Sequence, residues 1–338
     1  MSLLNKREYY KPFHYPEAYD FWLSQQNSFW ISSEINMDQD IYDWKFNLTE
    51  DERQIIGNIL KSFVQSEVLI GDYWRAAGGV FQHPEVSMMC AAFSNTEAIH
   101  IDAYAHLNTT LGLENFKEFM QDEIVMQRLS QLSRPPEQYQ YLDDFSLYNE
   151  EDNYYIWRRD IARSLATFSA FGEGVALFSA FTILLSFAQR GLMRGLGEII
   201  EFSIKDESLH SRAGIWLFNT FMSENKDIHD VKKSLYEAGR LTIKCEDAFI
   251  DSVFANSELP NCNPEDLKEF IRQRCNNQLR TIHLKPEYRV DKTKVNRLKW
   301  FNTASVGSTH ADFFSSRVTN YARSEGWNSM WSMGDGDA

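Results

Sequence analysis

Acidic side chains interrupt the apolar stripes of four long helical stretches, and this feature constrains the fold more than any other. Apolar residues three and four positions apart mark the buried face of a helix. In this chain each such face also carries ligand-type residues, which in chain order are Glu67, Glu97, His100, Glu173, Glu207 and His210. Because an unpaired buried carboxylate is strongly unfavourable, the pattern predicts a helical core built around bound cations.

The remaining composition supports an all-α fold. Glycine and proline are scarce, at 16 and 8 of 338 residues, and helical periodicity runs from about residue 50 to about residue 285. Strand-type alternation is nearly absent. We therefore expect a helical bundle at 49–318, preceded by an N-terminal segment at 1–48 and followed by a mobile tail at 319–338, with shorter helices around Pro135 and Pro136.

The spacing of the acids and histidines predicts two metal ions. In a helix, Glu-x-x-His places both side chains on one face about a turn apart, so both can reach one ion. A single such pair would be weak support, since most helical Glu and His are solvated or hydrogen-bonded. Two pairs interleaved with two lone Glu residues form the ligand pattern of ferritin-like dinuclear carboxylate bundles. Oxygen ligands with two imidazoles suit iron or manganese.

Charge and targeting signals narrow the functional classes. A net charge of −14 disfavours nucleic acid and anionic membrane surfaces as partners. The N-terminus lacks the apolar core of a signal peptide, and no Cys-x-x-Cys spacing occurs, so a cytoplasmic location is expected. Residues 164–189 are apolar enough for a membrane span. However, Glu173 near the middle favours a central helix buried on all sides.

Three strings then carry a specific resemblance. NTEAIHIDAY, FGEGVALF and IKDESLH resemble the metal-binding helices of class I ribonucleotide reductase small subunits. The resemblance implies that Tyr104, one turn beyond His100, holds a stable radical. It implies one metal held by Glu67, Glu97 and His100. It implies a second metal held by Glu173, Glu207 and His210, with some carboxylates bridging.

The resemblance extends to both ends of the chain. QQNSFWISSEINMDQDIYDW is similar to the segment with the family's relay tryptophan, here Trp30, and DFFSSRVTNYAR is similar to the approach to its tail tyrosine, here Tyr321. Asp206 would connect His100 to Trp30. These likenesses imply a homodimer whose C-terminal tail, with Trp327 and Trp331, docks on a large subunit that binds the nucleotides. No phosphate-binding loop motif occurs in this chain.

One position departs from the common pattern of that family. The first ligand position is Glu67, where many members have Asp, and some manganese-using members are similar to this chain in having Glu. The longer side chain favours two manganese ions. Two iron ions and a mixed pair stay open, as do activation by oxygen directly and activation through a flavodoxin-like partner.

Other functions remain compatible with the ligand pattern itself. A dinuclear oxidase or oxygenase acting on a small apolar substrate would share the ligands without needing Trp30, Asp206 and Tyr321 together. A ferritin-like metal store would share them too, although such chains are much shorter. A purely structural bundle would place its acids on the surface, outside the apolar stripes.

Overall fold

Helices make up nearly all the regular structure of the computed structural model, which describes residues 2–113, 151–255 and 257–302. The all-α, ferritin-like prediction is confirmed; in the described part, strand-type pairing is confined to an isolated bridge between Leu259 and Cys262. The helices are α1 (Pro16–Asn27), α2 (Asp38–Phe46), α3 (Glu50–Val80), α4 (Pro84–Leu111), α5 (Glu151–Ala166), α6 (Phe178–Gln189), α7 (Arg194–Glu224), α8 (Lys232–Val253), α9 (Pro264–Thr281) and α10 (Lys292–Arg297). A 3₁₀ turn lies at Ser32–Glu34, and a π-helix at Thr167–Ala176 joins α5 to α6.

Local sequence signals start the first two long helices. The Thr49 side chain accepts from the Glu52 backbone and the Glu52 side chain accepts from the Thr49 backbone, which completes a capping box at the start of α3. His83 is the N-cap of α4, and Pro84 fills its first turn, where a missing N–H costs nothing. α3 and α4 then pack along one another and present two of the apolar stripes to the core.

The third long helix differs from its prediction, because a π-helical segment interrupts it. The sequence predicted one continuous helix through Glu173, whereas the run from α5 to α6 has π-type geometry between Thr167 and Ala176. The close approach of α7 explains part of this difference. A Cβ on Gly214 would lie 1.9 Å from Ser169 Oγ, and Ser211 Oγ donates to the Ser169 carbonyl at 2.7 Å.

This same run is the one apolar enough to cross a membrane in the part of the chain that the structure describes. It spans Tyr154–Gln189, and its most apolar window is wholly buried. The prediction of a central helix packed on all sides therefore holds. α7, α8 and α9 all contact the π-helical segment.

The fourth long helix, α7, starts from a buried polar junction with α2. Met193 adopts a left-handed backbone, with φ 52°, immediately before the helix. Its N–H donates to Asp43 Oδ2 at 2.9 Å, while the N–H groups of Gly195 and Leu196 donate to Asp40 at 2.8 Å. The two acids thus satisfy donors that a helix N-terminus would otherwise leave without partners.

Two predicted regions lie outside the described residues. These are the segment around Pro135 and Pro136, and the whole tail from residue 319, including Tyr321, Trp327 and Trp331. By its contacts the chain separates into Met1–Leu298 and Lys299–Ala338. The helical bundle and the site below belong to the first unit, and the predicted boundaries at 48/49 and 318/319 stay predictions.

Candidate metal centre

Six side chains from four helical segments converge in the middle of the bundle. Glu67 comes from α3, the first Glu-x-x-His pair from α4, Glu173 from the π-helix and the second pair from α7, and all six are fully buried. Their ligand atoms form two groups within 4.8 Å, each able to hold a metal ion. The first group is Glu67, Glu97, His100 and Glu207. The second group is Glu97, Glu173, Glu207 and His210.

The two groups share a pair of carboxylates. Glu97 has Oε2 at 3.0 Å from His100 Nδ1 and Oε1 at 2.8 Å from His210 Nδ1. Glu207 has Oε1 at 3.4 Å from His100 Nδ1 and Oε2 at 3.7 Å from His210 Nδ1. Both carboxylates therefore span the two groups, as bridging ligands do.

The remaining two carboxylates each belong to one group. Glu67 Oε2 lies 3.9 Å from His100 Nδ1, and Glu173 Oε2 lies 3.9 Å from His210 Nδ1. The geometry sharpens the expectation from the sequence, which left open which carboxylates bridge. Glu97 and Glu207 are the two positioned to do so.

The hydrogen-bonding state of these atoms fits bound cations. Within the described residues, several buried ligand atoms lack a hydrogen-bond partner: both carboxylate oxygens of Glu67 and of Glu207, and Glu173 Oε2. Buried polar atoms in proteins are rarely left so. Unpartnered oxygens from three carboxylates therefore face a common space, and divalent cations would satisfy both their lone pairs and the charge.

The pKa values of the buried acids also show that the cluster requires positive charge. Burial raises the pKa of Glu67 to about 8, and burial together with the charge of Glu97 raises that of Glu207 to about 8. Burial and the charge of Glu207 raise the pKa of Glu173 well above its usual value. Burial opposes ionisation of Glu97 too, but the charge of His210 and a hydrogen bond with His100 lower its pKa to about 2. Protons take the place of metal ions in this state.

A hydrogen-bonded chain fixes the outer face of His100. Its Nε2 lies 3.1 Å from Asp206 Oδ2, and the same oxygen accepts from Trp30 Nε1 at 2.9 Å. Trp30 is 5% exposed, and its ring centroid is 5.9 Å from that of His100. The structure thus places Trp30, Asp206 and His100 in the order that the family resemblance implied.

Gln25 completes this network and was missed from the sequence. Its Nε2 donates to Asp206 Oδ1 at 2.8 Å, and its Oε1 lies 3.0 Å from His210 Nε2. Since Gln25 Oε1 can only accept, His210 Nε2 carries a proton, which leaves Nδ1 as the ring nitrogen that would ligate a metal ion. One amide therefore links the outer nitrogens of both histidines through Asp206.

Trp74 is a second contact that the sequence did not reveal. Its Nε1 donates to Glu173 Oε1 at 2.8 Å, which leaves Oε2 to face the second group. In the sequence, Trp74 on α3 looks like an ordinary core residue. Only the fold shows that its indole N–H binds a ligand carboxylate.

Tyr104 lies beside the centre in an enclosed pocket. Its side chain is fully buried, and its ring centroid is 6.2 Å from that of His100 and 5.0 Å from that of Phe63. The hydroxyl donates to Ser203 Oγ at 2.7 Å, and Ser203 Oγ donates to the Ile199 carbonyl at 3.0 Å. Burial raises the pKa of the phenol well above its usual value.

Comparison with known proteins agrees with this geometry. A family model described as "Ribonucleotide reductase, small chain" matches residues 7–296. A probable ribonucleoside-diphosphate reductase small subunit of Invertebrate iridescent virus 6 is 32% identical over 98% of this chain and 99% of its own length. The chain belongs to the ribonucleotide reductase small-chain family. The oxidase and metal-storage alternatives are thereby set aside.

Solved structures show the same fold for this small subunit. The ribonucleotide reductase R2 subunit from Clostridium botulinum aligns with a TM-score of 0.74 at 21% identity, covering 90% of this chain and 94% of that chain. The ribonucleotide reductase Rnr4 homodimer from Saccharomyces cerevisiae gives a TM-score of 0.68 at 19% identity, covering 86% and 87%. As a ribonucleoside-diphosphate reductase small subunit, the protein is part of an oxidoreductase, and its buried Glu and His groups can hold a dinuclear metal site.

Proposed function

We propose that this small subunit holds two metal ions and uses them to generate an oxidising radical on Tyr104, which passes to the large subunit to start ribonucleotide reduction. The observation that carries the proposal is the placement of Tyr104. It is a fully buried phenol one helical turn from His100, beside two overlapping groups of metal-ligating atoms.

The two groups of converging ligand atoms suggest which residues would hold each ion. Glu67 and His100 would hold one ion, and Glu173 and His210 would hold the other. Glu97 and Glu207 would bridge them. When bound, the metal pair would supply the one-electron oxidising power that a buried tyrosine requires.

The chain itself provides orientation, exclusion of water and proton placement. Asp206 and Gln25 accept from the outer nitrogens of the two histidines, which keeps each Nδ1 aimed inward. Phe63 covers the Tyr104 ring and contacts Phe181, with centroids 5.2 Å apart. In the resting state the phenol proton lies in the hydrogen bond to Ser203 Oγ. Such an enclosed pocket protects a reactive group from solvent.

The route out of the centre would run from His100 through Asp206 to Trp30. The chain of hydrogen bonds supports it, since Trp30 and His100 share a single Asp206 oxygen. From there Tyr321, in the C-terminal tail, would connect to the large subunit. The tail at 319–338 would dock on that partner, and two copies of this chain would form a homodimer like the yeast neighbour.

Metal identity and activation belong to the same proposal. Glu67 favours two manganese ions, because a longer carboxylate side chain changes its binding mode more easily; two iron ions or a mixed pair are the alternatives. A flavodoxin-like activator would supply the oxidant for manganese. We place the protein in the cytoplasm, without nucleic acid or membrane partners.

Metal stoichiometry combined with a reductase assay tests this function. Wild-type protein loaded with manganese or iron should bind about two ions per chain and support deoxynucleotide formation with a large subunit. Glu207→Gln removes a bridging carboxylate and should lose both properties. Glu198→Gln, an exposed acid on the same helix α7, is the matched control and should keep both. Two ions and full activity in Glu207→Gln would contradict the proposal.

A further inference from the structure

The π-helix that carries Glu173 is held from outside by α9 at the residue after the carboxylate. Arg274 on α9 donates from Nε and Nη2 to the Gly174 carbonyl, at 3.1 and 2.9 Å. Its guanidinium carbon also lies 3.2 Å from the centroid of the Phe178 ring. One side chain therefore contacts both the last turn of the π-helix and the first residue of α6.

The sequence at Gly174 permits this contact. A Cβ there would lie 2.5 Å from Gln278 Nε2 and 2.7 Å from its Cδ, so any larger residue would displace the Gln278 side chain from this face of α9. Arg274 and Gln278 are four residues apart and share one face of α9. Gly174 thus lets that face reach the backbone of the π-helix.

A π-helix needs such support from its surroundings. Its backbone hydrogen bonds join residues five apart instead of four, and the geometry is rare, usually confined to short segments and frequent at functional sites. The register of the segment sets where the Glu173 side chain emerges. Within the described residues the carboxylate has one hydrogen bond of its own, from Trp74 to Oε1, and Oε2 has none.

We infer that Arg274 is a positioning residue, which holds the Glu173 turn in π-helical register through the Gly174 carbonyl and the Phe178 ring and so sets the geometry of one of the two metal sites. The metal part of this inference rests on the proposed function, whereas the backbone part does not. Glu173 belongs to the second ligand group and not to the first. Loss of Arg274 should therefore affect the two ions unequally.

If Arg274 served only to pack α9 against its neighbours, replacing another arginine of α9 should have a similar effect. Arg272, on the same helix, pairs instead with Asp247 on α8 at 2.7 Å. Arg272→Gln therefore removes one arginine from α9 while leaving the Gly174 contact intact. It is the matched control for Arg274→Gln. Arg274→Lys keeps a positive donor but loses the planar stack, and should rescue in part.

Hydrogen exchange of metal-free protein tests the backbone claim. In Arg274→Gln, deuterium uptake should rise in peptides covering residues 167–178 and stay at the wild-type level in α3 and α4. Arg272→Gln should leave 167–178 unchanged. Equal uptake in Arg274→Gln and wild type, or a rise spread over the whole bundle, would overturn the inference.

Calorimetric titration with manganese tests whether Arg274 affects one metal site more than the other. Arg274→Gln should bind one of the two ions about tenfold to a hundredfold more weakly, the range typical for groups that support ligands from outside. The other ion should bind as in wild type, and Arg274→Lys should fall between. Unchanged affinities, or equal loss at both sites, would refute it. If wild type itself failed to bind two ions, the proposed function would fall, and hydrogen exchange alone would decide the role of Arg274.

Discussion

Glu67 and Glu207 show how single residues in this core depend on bound cations. Burial raises the pKa of each to about 8, so near neutral pH the metal-free centre holds protons on groups meant for ligation. A metal ion must displace those protons, because only the carboxylate form ligates well.

Metal affinity should therefore fall as the pH is lowered through about 8, where these two acids take up protons. The sign follows from the raised pKa values: above them the ligands are ionised, and below them protons compete with metal. Calorimetry in buffers of different ionisation enthalpy will count the protons released on manganese binding. Glu67→Gln should release fewer protons and Glu198→Gln the wild-type number. Affinity independent of pH between 6 and 9 (about two units below and one above the raised pKa) would contradict the account.

At this scale helical patterning predicted the metal ligands but missed neutral polar residues such as Gln25 and Ser203. Glu97 and His100 stand out because a charge inside an apolar stripe violates helical patterning. Gln25 and Ser203 violate nothing, since a neutral polar side chain in a helix is common. Their contacts with His210 and Tyr104 depend on how separate segments meet, which the spacing of residues along the chain does not encode.

At the scale of helices, the start of α7 depends on the short helix α2. Asp40 is fully buried and accepts from two backbone N–H groups, Gly195 and Leu196. Since α7 carries Glu207 and His210, the contact between α2 and the start of α7 helps to fix the position of these two ligands along the bundle. It also stabilises the helix.

Asp40→Ala should lower the free energy of unfolding by about 1–3 kcal/mol, because two buried donors lose their acceptor. Asp38→Ala, an exposed acid in the first turn of the same helix, is the control and should cost well under half as much. Urea denaturation of the metal-free proteins measures both. Equal effects of the two substitutions would show that the buried junction adds no stability.

The helices themselves were largely predictable, whereas the π-helix was not. The capping box at Thr49 and the first-turn proline Pro84, together with the apolar stripes, place the starts of α3 and α4 close to those observed. Nothing in the string FGEGVALF distinguishes π-type from α-type hydrogen bonding. That difference depends on tertiary contacts, such as the fit of Gly214 against Ser169.

At the scale of the whole molecule, we expect the helical bundle to bind the metal ions and the tail to bind the large subunit. The six ligand residues lie on helices within Met1–Leu298. Residues 319–338 are mostly small and polar, with a few aromatic residues between them. Such a segment suits an anchor that becomes ordered on a partner.

A chain ending at residue 318 should bind metal as the full chain does but fail to bind the large subunit or support reduction. Sedimentation of the mixed subunits and metal analysis of the shortened chain measure the two properties. A peptide of residues 319–338 should compete with the full chain for the large subunit. Undiminished activity of the shortened chain would place the docking contact elsewhere.

The most direct test of the account is electron paramagnetic resonance of Tyr104→Phe beside wild type. Each protein would be loaded with iron or manganese and then exposed to oxidant. The account predicts a tyrosyl radical signal in wild type for the working metal, and loss of that signal in Tyr104→Phe with about two ions still bound. The same tyrosyl signal in Tyr104→Phe would contradict the assignment of the radical to this residue.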